Sequence, residues 1–332
     1  MLKYIVKRLI ALIPVVFIIS VVLFGMLKAM PGDPVIRHMP LDESGTRADK
    51  EIYEKVYAET AARLGYDKPI PVQYVVWAQR TLSGDFGKST QFVKPVVDVV
   101  ATPLRNSLVL NIGSTILAFV ISIVIGIKSA VRQGKFYDRF WQVMSMIGYS
   151  LPTFFISMIL IFVFAQKLGW FPSASMPPTS VFRAQNGELA YFIEWAKILV
   201  LPTITLTIGS FASTSRYVRN AMIESLSQDY IRTARSKGVS EKNVVYSHAF
   251  RNALIPVVTV VAWGIAGMFG GAAITERMFS FEGIGNYLIT GVVNKDYDIV
   301  LTMNMFYTLI ALSANMVMDI GYALVDPRIR LD

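Results

Sequence analysis

The chain has no cysteine among its 332 residues. A disulfide framework, a thiolate zinc site, an iron–sulfur cluster and a cysteine nucleophile are therefore all excluded from it. Charge is scarce as well, at 17% of residues against 54% hydrophobic, and the mean hydropathy of +0.49 is too high for an ordinary soluble domain. Histidine is limited to His38 and His248. Acidic residues number 23 against 32 basic ones, a net charge of +9. A nucleic-acid surface would gather those bases on one soluble face, but here they fall between long apolar runs, so no nucleic-acid partner is expected. No internal repeat or low-complexity tract is visible.

What the chain has is charge-free length. A helix rises about 1.5 Å per residue and the hydrocarbon core is about 30 Å thick, so a span needs roughly 20 residues. Six runs meet this: Leu9 to Leu27, Leu108 to Ile127, Trp141 to Ala165, Ile198 to Ser215, Ala253 to Thr275 and Ile299 to Met318. None holds Asp, Glu, Lys or Arg, each of which costs about 2.5–3.5 kcal/mol at a helix centre. The first run follows Lys3, Lys7 and Arg8, as a signal peptide would, but it exceeds a typical signal core and is expected to stay as a span. The fourth is diluted by Thr203, Thr205, Thr207 and Ser210, whose hydroxyls can return hydrogen bonds to their own backbone. The fold class is therefore all-α, a polytopic membrane protein with six transmembrane helices in a lipid bilayer.

Basic residues set the orientation. With a cytoplasmic N-terminus, the inner segments hold Lys3, Lys7, Arg8, Lys128, Arg132, Lys135, Arg139, Arg216, Arg219, Arg232, Arg235, Lys237, Lys242, Arg251, Arg328 and Arg330, sixteen in all. The short outer segments hold five, Lys167, Arg183, Lys197, Arg277 and Lys295. Both termini are expected in the cytoplasm. The long first outer loop has helix-friendly charged stretches over Leu41 to Leu64. Pro69 and Pro71 then precede an apolar-aromatic segment, Val72 to Leu82, so either a small helical cap or a solvated linker is expected. Gly169 to Trp195 reads as an irregular stretch anchored by interfacial aromatics. In the fifth run Gly264, Gly267 and Gly271 recur at i, i+3 and i+7, one helix face, read either as bundle packing or as part of a substrate path.

One cytoplasmic segment, Ser225 to Thr259, reads as helix–turn–helix. Asp229 lies at the start of a short helix, Gly238 can take the left-handed conformation that ends one, and Ser240 is placed to cap a second with Glu241 near its positive end. Such a helix could seat in a partner's groove. Ala234 and Gly238 would supply small positions, Tyr230 and Ile231 apolar anchors, and Arg232, Arg235 and Lys237 contacts to an acidic rim. The alternative is a solvated basic loop that serves only the charge asymmetry.

The segment resembles the EAA loop of ABC importer permeases in the form of the peptide and nickel group. The residues that carry the likeness are Tyr230, Arg232, Thr233, Ala234, Arg235, Lys237 and Gly238, followed by His248, Arg251, Asn252, Ala253, Leu254, Pro256, Val257, Val258 and Thr259. Arg232 and Thr233 replace the generic motif's Glu and first Ala, as is usual in the peptide branch. Further pieces match in order. These are Met30 to Pro34 (APGDP-like), Gly84 to Ser89 (GDxGxS), Ser150 to Phe154 (SLPxF), the Phe281 to Gly285 turn after Glu276, and Asp319, Tyr322, Asp326, Pro327 and Arg328 (DxxYxxxDPR).

The resemblance implies a type I ABC importer permease fold for di- or oligopeptides, with nickel or another small solute as the alternative cargo. It implies an N-terminal transmembrane helix over 1–30, an extracytoplasmic loop region over 31–105, and a permease core over 106–325 with its coupling loop at about 216–252. Residues 326–332 would form a cytoplasmic tail. The implied partners are a second homologous permease, two cytoplasmic ATPase subunits that bind ATP and Mg, and an extracytoplasmic peptide-binding protein, in a bacterial or archaeal cell membrane. The coupling residues would be Asp229, Tyr230, Ile231, Arg232, Thr233, Ala234, Arg235, Lys237 and Gly238. A bulky side chain at Ala234 or Gly238 would then uncouple ATP hydrolysis from uptake.

The chain itself is expected to be no enzyme and to hold no metal or cofactor. GDFGKST over Gly84 to Thr90 imitates the end of a phosphate-binding loop, but Leu82 stands where its first glycine is required. His38 and His248 fall on opposite sides of the membrane. A self-sufficient secondary transporter would carry a carboxylate within a span, which the six runs lack.

Overall fold

The computed structural model describes residues 2–29, 33–37, 39, 50–253, 264 and 267–325. Helices α1 (Leu2–Ala29), α2 (Pro34–Arg37), α3 (Lys50–Leu64) and α4 (Ile70–Leu82) lead to α5 (Val96–Val131). Next come α6 (Phe136–Ser150) and α7 (Thr153–Leu160), which continues as π-helix over Ile161–Lys167. Then follow α8 (Ser180–Leu226), α9 (Asp229–Ser236) and α10 (Glu241–Asn243), which runs into a π-helical Val244–Ala249. Helices α11 (Ala273–Met278), α12 (Ile284–Val293) and α13 (Tyr297–Val325) complete the described chain. Among the described residues the only extended pairing is a single antiparallel bridge between Lys88 and Pro95.

Four stretches are long and apolar enough to cross a bilayer: Arg8–Ala29, Val96–Val131, Ser180–Leu226 and Tyr297–Met316. They contain the first, second and fourth apolar runs and most of the sixth. The third run is not one straight span. It bends by 103° between α6 and the α7 π-helical stretch. The cause is Pro152, whose ring pushes the preceding Leu151 into an extended conformation (φ −80, ψ 129) and so ends α6. Most of the fifth run, residues 254–263, 265 and 266, lies outside the described residues.

The segment expected to be irregular over Gly169 to Trp195 is so only as far as Thr179. There the Thr179 hydroxyl accepts from the Phe182 N–H at 3.2 Å and starts α8. Gly187, at φ 82 and ψ 171, then kinks that helix. Beyond the kink α8 runs roughly 58 Å at 1.5 Å per residue, nearly twice the apolar thickness of a bilayer, so a long end stands outside it.

The chain divides into two compact units, residues 1–102 with 287–309, and residues 103–286 with 310–332. In the first, Phe24, Leu27, Tyr297 and Leu301 form a core against Tyr74 and Trp77 of α4. Pro69 precedes α4 and Pro71 falls in its first turn, where a missing N–H costs nothing. The stretch after the prolines is thus a helix, as is residues 50–64 before them. Asp296, fully buried, accepts from the Ser89 hydroxyl at 2.6 Å and the Gln91 N–H at 3.2 Å, which pins the loop after Gly87. Gly87 itself has φ +80, and a Cβ there would overlap the Asp298 carboxylate.

Candidate coupling site and cavity

In the second unit, residues 227–253 fold back as a compact module against the ends of α5 and α8. Ile231, Ala234, Val244, Val245, Ala249 and Ala253 share one buried cluster with Ile127, Ala130, Val218, Ala221 and Met222. Full burial of the larger of these side chains, Ile231, Val244 and Val245 among them, contributes about 1.5–3 kcal/mol each and holds the module against the two helices. A polar pin adds direction. Ser225, near the end of α8, donates to the Ala249 carbonyl at 2.8 Å and shares a hydrogen bond with the Tyr230 hydroxyl at 2.7 Å.

The boundaries of α9 follow from local chemistry. Asp229 stands in its first turn, favourable to the positive helix end. At the other end Gly238, at φ +75, closes the helix, with its N–H bonded to the Arg235 carbonyl and the Val239 N–H to the Ala234 carbonyl. That is the paired-bond stop that a left-handed glycine permits. Ser240 precedes α10, but its hydroxyl makes no capping bond. Glu241 instead receives Arg235 through two bonds, at 2.7 and 3.1 Å. The Arg235 guanidinium holds the Glu241 carboxyl below the usual carboxylate range, and Glu241 in turn raises Arg235.

Two expectations about α9 are corrected. Ile231 is fully buried and Ala234 nearly so, both within the chain's own core, so they are not offered to a partner as anchor and seat. Their i, i+3 spacing puts them on the inward face. The outward face consists of Asp229, Tyr230, Arg232, Thr233, Ser236, Lys237 and Gly238, with Arg235 half exposed beside Glu241. Arg232 reaches Asp229 only loosely, at 3.5 Å, and both side chains are largely in solvent.

Above the module, Asp138 at the start of α6 is completely buried. It accepts from Arg219 of α8 through both oxygens, at 2.6 and 2.8 Å, and from the Gly134 N–H at 2.8 Å. Ser145 and Ser215 continue the same seam at 3.1 Å. Reading Arg219 only as one more inner-side charge missed this pairing.

The three glycines of the fifth run have three different environments. A Cβ on Gly264 would meet the Phe119 ring at 3.1 Å, so there glycine permits close helix approach. One on Gly267 would meet nothing within 4 Å. Gly271 is not helical, because its φ is +67 and its backbone lies against Gly285. The expectation that all three glycines share one helix face is thereby corrected at Gly271. All three nevertheless line a cavity of about 410 Å³, together with side chains of α5 and α8.

One turn after Ala272, the last residue of the cavity lining, sits a residue that entered the sequence analysis only as a landmark. Glu276 is fully buried and accepts from the Ser107 hydroxyl at 2.6 Å and from the Ala272 and Asn286 N–H groups at 3.0 and 2.9 Å. Among the described residues no cluster of metal-ligating side chains occurs, and His38 lies outside them.

A helical protein with several bilayer-length apolar elements is an integral membrane protein. The chain belongs to the family described as "Binding-protein-dependent transport system inner membrane component", which matches residues 122–331, and that family's N-terminal component matches residues 1–100. It is 35% identical to the oligopeptide transport system permease protein AppB of Bacillus subtilis, over 99% of both chains. It is 33% identical to the di/tripeptide transport system permease protein DppB of Pseudomonas aeruginosa, also over 99% of both. With the glutathione transport system permease protein GsiC of Escherichia coli it shares 34% identity over the same proportions. The chain is thus a membrane-spanning permease subunit of a binding-protein-dependent importer, and a multi-pass membrane protein.

Proposed function

We propose that this permease imports di- or oligopeptides as half of a heterodimeric path. It would be driven by two cytoplasmic ATPase subunits that bind ATP and Mg and supplied by an extracytoplasmic peptide-binding protein. Both termini face the cytoplasm of a bacterial or archaeal cell, and the membrane is the inner one. The observation that carries the reading is α9. Its inward face is locked into the core of α5 and α8, while Asp229, Arg232, Thr233 and Lys237 face solvent on a base that cannot yield. A motor that moves α9 therefore moves α8. ATP drives import only if it binds one global state better than the other, and such a lever links the nucleotide to that state. Peptide cargo is supported by the relatives' names and by a cavity whose described lining has no carboxylate or imidazole to hold nickel.

The test uses proteoliposomes. The chain alone should show neither ATP hydrolysis nor uptake, and both should appear when the second permease, the ATPases and the binding protein are added. In that assembly Thr233→Trp with Arg232→Glu should cut uptake at least tenfold per ATP hydrolysed while the chain stays folded. Ala234→Trp should instead unfold the module, because Ala234 is a core residue. Proton-driven uptake by the lone chain, or unchanged coupling in the outward-face variant, would defeat the proposal.

A further inference from the structure

The cavity that the three glycines share has a wall of one chemical kind. Its polar lining is Asn111, Ser114 and Thr115 from α5 and Ser210, Ser213 and Thr214 from α8, with Phe119 and Met268 as the large apolar contacts. No ionisable side chain is present in the described lining.

Half of these polar groups are already used. The Asn111 amide donates to the Met268 carbonyl, Ser114 to the Asn111 carbonyl and Ser213 to the Ser210 carbonyl. The hydroxyls of Thr115, Ser210 and Thr214 make no hydrogen bond among the described residues, and Thr214 is only 6% exposed. All three line the cavity, and a hydroxyl with no protein partner is open to donate to or accept from whatever enters the space it borders. Gly267 borders the same space with room for a Cβ, so close helix packing does not explain the glycine there. It keeps that wall low.

We infer that this cavity is the cargo-contact wall of the permease and that it engages peptide backbones through neutral hydroxyls, blind to the sign of charge on the cargo's side chains. The inference rests on the peptide-importer reading and adds which residues meet the cargo and what they ignore. The physical reason is Coulombic. In a bundle of low dielectric constant, one fixed charge on the wall would favour cargo of the opposite sign and repel its own, whereas hydroxyls serve as donor or acceptor to any amide.

The test is to install the missing charge in the complete reconstituted importer and to measure uptake of trilysine, triglutamate and trialanine, each relative to the unmodified protein. Thr214→Lys should lower trilysine relative to triglutamate by about tenfold, Thr214→Asp should reverse the order, and trialanine should lie between. Ser210→Lys and Ser210→Asp repeat the comparison at a more exposed position on the same wall, so a folding defect at Thr214 does not decide the matter. Gly267→Leu should reduce all three peptides equally while leaving the fold intact. If the lysine and aspartate variants scale all three peptides alike at both positions, cargo does not touch this wall. Uptake of none of the peptides by the unmodified importer would be a different result, and would defeat the peptide reading itself together with this inference.

Discussion

Glu276 is a carboxylate enclosed by donors. One oxygen takes the Ser107 hydroxyl and the Ala272 N–H, and the other takes the Asn286 N–H. Ser107 in turn accepts from the Ile284 N–H at 2.8 Å, so a single side chain ties α5, α11 and the start of α12 together. Next to it, a Cβ on Gly283 would overlap the Glu276 carboxyl, so only glycine fits. Glu276→Gln puts an amide donor where the protein has an N–H or O–H. The expected loss is about 1–3 kcal/mol, the cost of leaving buried groups unpaired. It is read as a lower midpoint of thermal unfolding in detergent, and an unchanged midpoint would show that the cage contributes nothing. None of this was legible in the sequence. Glu276 ended the fifth apolar run because it is ionisable, and its partner Ser107 is 169 residues away. The inward turn of Ile231 and Ala234 was legible in principle, since both are small or apolar at i, i+3 in a helix of charged residues. A solvent-side groove and a core look the same to that pattern.

The helices show where local rules suffice and where they do not. The limits of α9 follow from Asp229 and Gly238 alone, because capping and the left-handed stop act within one turn. The bend at Pro152 obeys an equally local rule, yet counting charge-free residues from Trp141 to Ala165 ran through it. The pairing of α6 with α8 is non-local and decides what the module can move. Arg219 lies between the buried Val218 and Ala221 of α8 and donates to both carboxylate oxygens of Asp138, so in the proposed coupling a displacement of α9 would reach α6 through α8. Removing one partner leaves a buried charge and costs about 3–5 kcal/mol, whereas an apolar pair of similar volume can be nearly neutral in stability. Asp138→Asn should therefore lower both stability and uptake. Asp138→Leu with Arg219→Met should restore much of the stability while uptake per ATP stays low, because the pair's contribution is its fixed register. If the apolar pair transports normally, the bond between α6 and α8 is not part of the drive.

At the scale of the molecule, the multi-pass character was readable because lipid replaces water as solvent, and the asymmetry of Lys and Arg carries the expectation of which side each loop faces. The cavity was not readable, since its wall draws on residues from Asn111 to Ala272 that no window of sequence joins. Orientation is the claim on which the coupling and cargo proposals both depend, and the absence of cysteine makes it directly measurable. Any single introduced thiol is the only one in the chain. Lys237→Cys lies on the exposed face of the module that the proposal puts in the cytoplasm, and Leu82→Cys replaces the last residue of α4, 89% exposed and expected outside. With a charged, membrane-impermeant maleimide on intact cells, Leu82→Cys should label within minutes and Lys237→Cys only after permeabilisation. Substitution at these two exposed positions should change stability by less than about 0.5 kcal/mol, so a difference in labelling reports side and not folding. The reverse pattern would put sixteen basic residues on the outer face and α9 beyond the reach of any ATP-binding partner, and the lever from α9 through α8 to α6 would have nothing to drive it.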